Sequence, residues 1–302
     1  MPQPESRNHR HPHGPTPIDE PAEIGVAFGL NLAFTFIEVV GGLWTNSLAI
    51  LSDALHDLGD SLAIGLSWFL ARKSRQERDH RFSYGYRRLT LLGALTSALV
   101  LLLGSLLIMA RAVPRLIHPE HSNAAGMIGL ALLGLGVNGA AAWRLRRGRS
   151  LQSQMLTWHL VEDVLGWGAV LVVALALFFT DIHILDPLLS ILVTLYVLAG
   201  VWRNVRRTMS VFLQATPEDL DLEALDRALA SLPGVLSTHH THVWSLDGEH
   251  HVLTTHLVVA PGATKAEIVR VKREALSLLS SIAPEHTTLE VEYEDEDCRM
   301  RT

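Results

Sequence analysis

Cysteine occurs once, at Cys298, so neither an internal disulfide nor a thiolate cage for a metal can form. The first 23 residues lack the apolar core of a cleaved signal peptide. They are rich in Pro and His and read as a flexible leader in which His9, His11 and His13 bind metal only incidentally. The protease helix pattern H-E-x-x-H is absent as well. Charge itself is missing from Leu89 to Ala110 and from Ala124 to Trp143, which excludes a soluble bundle of six buried helices.

What the chain has instead is apolar length. Six stretches approach the roughly 20 residues that a membrane-spanning helix needs: Ile24 to Trp44, Ser47 to Leu70, Leu89 to Ala110, Ala124 to Trp143, Met155 to Thr180 and Ile182 to Trp202. Basic residues crowd alternate connections: Arg72, Lys73, Arg75, Arg78, Arg81, Arg87 and Arg88 after the second stretch, Arg144, Arg146, Arg147 and Arg149 after the fourth, and Arg203, Arg206 and Arg207 after the sixth. The opposite connections hold only Arg111 and Arg115, next to a helix end. The bias predicts six spans with both termini in the cytoplasm.

Two of these stretches carry the same pair of costly residues, His56-x-x-x-Asp60 and His159-x-x-x-Asp163. A spacing of four places each pair on one helix face. Ionisable groups in hydrocarbon must line a cavity, pair with each other or bind an ion, so the twin pairs predict a functional site. Two imidazoles and two carboxylates also make a tetrahedral donor set for a divalent metal. The bland alternative is a His capping an Asp across each helix interface, but that needs no charge repeated at one spacing. Shifted by 103 residues, His56, Asp60, Leu62 and Gly65 fall on His159, Asp163, Leu165 and Gly168, in keeping with two helices facing a common site near the bilayer midplane.

Beyond Met209 the character changes. Residues 209–302 hold 16 acidic and 7 Lys and Arg residues, a net charge of -9, whereas residues 1–208 hold 15 and 18, a net of +3. The tail reads as a separate acidic domain, for which nucleic acid is a poor partner. Its pattern predicts a helix over Pro217 to Leu232 started by Thr216, a hairpin of Val235 to Leu246 and Glu249 to Val259 across a type I′ turn at Asp247-Gly248, a second helix over Thr264 to Ile282, and a last strand over Thr287 to Tyr293. The expected order is αββαβ, after an all-α transmembrane domain of six helices. The domains are thus a leader (1–23), a transport domain (24–208) and a regulatory and dimerisation domain (209–302).

These residues resemble the cation diffusion facilitator family of zinc transporters. The segment Ser47 to Asp60 is similar to that family's second-helix signature, Arg81-Phe-Ser-Tyr-Gly-Tyr86 to its loop before helix three, and His159 to Asp163 to its fifth-helix motif. Asp186-Pro187 resembles the start of its sixth helix, and His239 to Trp244 its cytosolic strand. The resemblance implies a homodimer in the lipid of a bacterial inner membrane that exports divalent metal in exchange for protons, above a ferredoxin-like domain. It assigns the transport site to His56, Asp60, His159 and Asp163. Nitrogen and oxygen donors in a four-coordinate site suit Zn²⁺, without excluding Co²⁺, Ni²⁺ or Cd²⁺.

The same resemblance places cytosolic metal ligands at His239, His256 and His286, with Glu292 as an acidic companion and His240, His242, His250 and His251 as weaker candidates. Asp53 is shared with the signature and is expected to support the helix or the entrance, and Asp57 and Glu162 are left unassigned. A second zinc site after helix two is not expected, because Phe82 and Tyr86 stand where histidines would, although Asp79 persists and His80 lies off register. The rival classes are a metal-sensing membrane receptor and an intramembrane zinc enzyme. Four protein ligands would leave an enzyme no open position for water.

Overall fold

The computed structural model describes residues 20–74, 76, 78–146 and 151–298. The leader's histidines therefore lie outside the described residues. Six long helices come first: α1 (Glu20–Thr45), α2 (Leu48–Ser74), α3 (Leu89–Ile117), α4 (Ala124–Leu145), α5 (Leu151–Thr180) and α6 (Leu185–Phe212). Four segments are long and apolar enough to cross a membrane: Leu89–Ile117, Ala124–Arg144, Thr157–Thr180 and Leu185–Phe212. Gly29–Thr45 is a shorter apolar stretch. Helix α2 is less apolar because Asp53, His56, Asp57, Asp60 and Lys73 interrupt it. The outer surface of the bundle is rich in exposed large apolar residues, among them Leu107, Phe179 and Trp202, as expected of a face turned to lipid.

Helix α3 runs seven residues past Ala110, through Arg111, Pro114 and Arg115. The expected stop read the first charge as the helix end, but Pro114 lies in the final turn, where the chain can tolerate it. Helix α6 likewise continues to Phe212, past the change in composition at residue 209.

One end of the bundle meets the C-terminal domain. There Arg87, in the α2–α3 loop, donates to Glu285 at 2.7 Å and approaches the His250 ring at 2.9 Å. At the opposite end, called the far face below, two short connections, α1–α2 and α3–α4, interlock. The amide of Asn123 donates to the carbonyl of Thr45 at 2.8 Å, the Asn46 side chain donates to the carbonyl of His121 at 3.1 Å, and Arg115 donates to the Asn46 side-chain oxygen at 2.7 Å.

Helix α2 starts at that face with an unusual cap. Its first amides find no intrahelical acceptor, and Asp186 of α6 supplies one: the carboxylate accepts from Leu48 N at 2.8 Å, Ala49 N at 3.3 Å and the Ser47 hydroxyl at 2.5 Å. Ser52 and Ser190 add a hydroxyl contact at 2.7 Å one turn further in. An anion at a helix N-terminus is also favoured by the helix dipole. Helices α2 and α6 are thereby fastened together.

Between the far face and the middle of the bundle lies an apolar core of Ala49, Ile50, Met127, Ala131, Trp167, Val170, Ala174 and Leu177, drawn from α2, α4 and α5, with Phe34 of α1 packed on it. Its centre is Trp167 against Gly134, where a Cβ would come within 2.3 Å of the indole, so only glycine permits the approach. Helices α4 and α5 pack along their length, whereas α2 and α5 scarcely touch.

The C-terminal domain contains α7 (Leu222–Ala230), β1 (Ser237–Ser245), β2 (His251–Val259), α8 (Lys265–Leu279) and β3 (His286–Tyr293). The sheet order is β1-β2-β3, with β1 and β2 antiparallel and β2 and β3 parallel across α8. The apolar faces of α7 and α8 meet the sheet through Leu225, Leu229, Val271, Ala275 and Leu279 over Val243, Leu253 and Leu257.

Two local expectations are corrected here. Helix α7 begins at Leu222, not after Thr216, because Asp221 accepts from Ala224 N at 3.0 Å and captures the start. The hairpin turn is not type I′, since only Gly248 has positive φ (106°) and that turn needs two such residues. Strand pairing ends at Ser245 and His251, and the Asp247 carboxylate accepts from the amides of Glu249 and His250 at 3.0 and 2.9 Å, stabilising a longer loop.

Candidate metal centre

Helices α2 and α5 present their paired residues to the same space. His159 Nε2 lies 3.2 Å from Asp60 Oδ2, His56 Nε2 lies 3.7 Å from the same oxygen, and His159 Nε2 lies 3.9 Å from Asp163 Oδ2. The two imidazole rings are 6.1 Å apart, centre to centre. Two ligands about 2.0 to 2.1 Å from one tetrahedral zinc lie ~3.4 Å from each other, so these separations already suit a shared ion. Donor atoms of His56, Asp60 and His159 lie within 4.8 Å of one another. Asp163 stands at the edge of this trio with its side chain 10% exposed.

Polar satisfaction points the same way. His56 Nε2 and Asp60 Oδ2 are buried and make no hydrogen bond of acceptable geometry among the described residues. Buried polar atoms are normally paired, and an orphaned nitrogen facing an orphaned carboxylate oxygen fits a cation between them. The helix period explains the geometry: residues four apart stack on one face of each helix, and the sparse contact between α2 and α5 leaves room there.

Other acids surround the site. Asp53 and Asp57 are buried on α2, and Gly166, one turn beyond Asp163, brings α5 close enough that a Cβ there would meet Asp53 Oδ1 at 3.4 Å. Asn31 of α1 donates to the Asp57 carbonyl at 3.2 Å and to Ser61 Oγ at 3.0 Å. Glu162 faces away and accepts from Tyr196 of α6. Sequence reasoning missed Glu38, which is 1% exposed on α1 and faces Asp57 and Asp53. Its only signal was a single carboxylate in an apolar run.

A second cluster occupies the C-terminal domain. Glu292 on β3 lies between His256 Nδ1 at 2.7 Å and His239 Nε2 at 3.0 Å, with Cys298 Sγ 3.8 Å from His256 Nδ1. Burial pushes the Glu292 carboxyl up, but the His256 hydrogen bond and the charges of His256 and His239 outweigh it and hold it below the usual range. The expected His286 is not brought here. It opens β3, six residues before Glu292, and its ring packs edge-on against Tyr84 at 5.2 Å, since six residues of strand span about 20 Å. Its place beside the two histidines is taken by Glu292 and Cys298. His240 joins them unexpectedly: its ring lies 5.1 Å from that of His239 and 5.3 Å from that of His256. Alternation assigns neighbours on a strand to opposite faces, but a bulge between His239 and His242, with His240 at φ 51°, turns it inward.

In the α2–α3 loop Asp79 acts as a turn organiser. Its carboxylate accepts from Arg81 N and Phe82 N at 2.8 Å and from the Tyr86 hydroxyl at 2.7 Å, with no histidine among these partners. The Tyr86 hydrogen bond, followed by the two amides, holds Asp79 below the ordinary carboxylate range.

Residues 24–213 match the family described as cation efflux transmembrane domain, and residues 217–294 match the cation efflux protein cytoplasmic domain. The chain belongs to the cation efflux family. The zinc transporter ZitB of Escherichia coli (strain K12) is 32% identical over 304 residues, covering 98% of this chain and 96% of that protein. The metal cation efflux system protein CzcD of Cupriavidus metallidurans is 31% identical over 253 residues, covering 83% and 78%. A cadmium, cobalt and zinc/H(+)-K(+) antiporter of Bacillus subtilis (strain 168) is 28% identical over 273 residues, covering 89% and 88%. Members of the cation efflux family are integral membrane transporters and not enzymes, which sets aside the intramembrane-enzyme alternative.

Proposed function

We propose that this protein exports divalent metal, chiefly Zn²⁺, from the cytosol in exchange for protons. The observation that carries this reading is the convergence of α2 and α5 inside the helical bundle, where His159 lies 3.2 Å from Asp60 and 3.9 Å from Asp163, and His56 lies 3.7 Å from Asp60. Four donors bind the ion fully and leave no open position for catalysis, which suits carriage. Cargo is Zn²⁺ by the nitrogen and oxygen donor set and by the names of the relatives.

Helices α1 to α6 form six spans in this reading, with both termini and the sheet domain in the cytoplasm, and the far face is the side of release. The αββαβ order of the tail is that of a ferredoxin-like unit that pairs two copies of the chain. Residues 1–23, 24–208 and 209–302 serve as leader, transport domain and regulatory domain. The cluster of His239, His256, Glu292 and Cys298 would hold cytosolic metal and favour the dimer arrangement that transports. The apolar core beneath the far face supports entry of metal from the cytosolic side in this reading.

The test is zinc uptake into sealed vesicles of purified protein loaded with a fluorescent indicator. Asp163→Ala removes a ligand from a cavity and no packing contact, so it is expected to abolish uptake while thermal unfolding and dimerisation stay as in the parent. Normal uptake by that variant would refute the four-ligand site.

A further inference from the structure

The far face carries a pair of histidines that the transport reading leaves unused. His121, in the α3–α4 connection, and His183, in the α5–α6 connection, are 62 residues apart in sequence. Their ring nitrogens, His121 Nδ1 and His183 Nε2, approach to 2.8 Å, with ring centres 4.2 Å apart and planes at 74°. Asp181 Oδ1 lies 3.7 Å from the same His183 nitrogen. We propose that His121, His183 and Asp181 form a divalent transition-metal site on the far face, one that ties the α3–α4 connection to the end of α5.

Three observations support the assignment. The His183 side chain is 13% exposed, and Nε2, not the buried Nδ1, is the edge that the ring presents to His121 and to a ligand. The backbone under both rings is held in place: Asn46 donates to the His121 carbonyl at 3.1 Å, and His183 N donates to the Asp181 carbonyl at 3.0 Å. Nitrogens sharing a tetrahedral ion lie ~3.4 Å apart, so the rings need part only slightly to admit one. Neutral imidazoles can shift their protons to His121 Nε2 and His183 Nδ1, freeing both facing lone pairs without a change of charge. Two imidazoles, a carboxylate and a water suit Zn²⁺, Co²⁺ or Ni²⁺ and disfavour Mg²⁺.

The connection that bears His183 follows Thr180, the last residue of the helix carrying His159 and Asp163. A metal held there would clamp the end of α5 to a loop already fastened to the α1–α2 turn, and so slow any movement of α5. That this is the release side rests on the export reading above; the binding itself does not.

The test uses purified full-length protein carrying Asp163→Ala, so that transport plays no part. Diethyl pyrocarbonate modification of His121 and His183 is read by peptide mass spectrometry with and without Zn²⁺. Zn²⁺ should protect both rings, and His183→Gln should weaken protection of His121 by at least roughly 10-fold, the loss that follows even when only a ligand's hydrogen-bond partner is removed. His121→Gln, at an exposed position, should do the same for His183 if the first variant fails to fold. Rings modified at equal rates with and without Zn²⁺ would mean a plain hydrogen bond between them and overturn the site, as would protection of one that ignores loss of the other. In vesicles of otherwise unaltered protein, Zn²⁺ supplied on the far face should slow flux in the parent and not in the His121→Gln variant; equal slowing in both would overturn the clamp. Absence of zinc flux in the parent would instead count against the export reading.

Discussion

At the scale of single residues, the donor set fixes what the proposed transport site would prefer. His56 supplies a nitrogen of intermediate softness beside the Asp60 oxygen. His56→Asp would make three of the four donors carboxylates, so preference is expected to move from Zn²⁺ toward the harder Mn²⁺, read by metal competition in vesicle uptake. An unchanged ranking would mean that His56 is not a ligand. The residues of the proposed transport site stand out in the sequence because histidine and aspartate are costly within apolar runs and recur at a spacing of four. Glu38 was not, since one carboxylate carries no period and only the packing of α1 on α2 shows that it faces Asp53 and Asp57. His240 was hidden for another reason: a bulge changes the face of a strand residue, and bulges leave little trace in composition.

Elements were legible in proportion to their length. The long helices follow from apolar stretches, yet α3 continued through Pro114, and α7 started where Asp221 capped it and not where Pro217 invited it. Such choices are settled by single hydrogen bonds of about 1 kcal/mol, below what a pattern resolves. The cap on α2 was beyond any local reading, because its acceptor lies 138 residues away on α6. Asp186→Asn would keep one acceptor oxygen and turn an amide group toward donors already present, leaving at least one buried bond unmade. A loss of about 1 to 3 kcal/mol is expected, seen as a lower thermal midpoint of the detergent-solubilised protein. A midpoint equal to the parent's would show that the cap contributes nothing.

For the whole molecule, the proposed exchange follows from competition. Only neutral imidazole and ionised carboxylate bind zinc, so protons and metal contend for the same four side chains. Zinc flux into vesicles is expected to rise when the far face is made acidic, and each burst of metal movement should produce a pH change of opposite direction. Full-rate zinc transport without that pH signal would make the protein a uniporter. The tail was legible as a separate domain through its charge, whereas its mutual placement with the bundle, through Arg87 with Glu285 and His250, appears only in three dimensions.

The apolar core around Trp167 and Gly134 bears on the cell's energy supply as well as on access to the site. A carrier that admits protons is a short circuit whenever a continuous thread of water reaches through it. The seven other buried apolar side chains around the indole give water no hydrogen-bond partner, so a proton path on this side is confined to the polar line of Ser47, Asp186, Ser52 and Ser190 beside the core. On the export reading, that narrow polar line is where a leak of charge between cycles would have to be stopped.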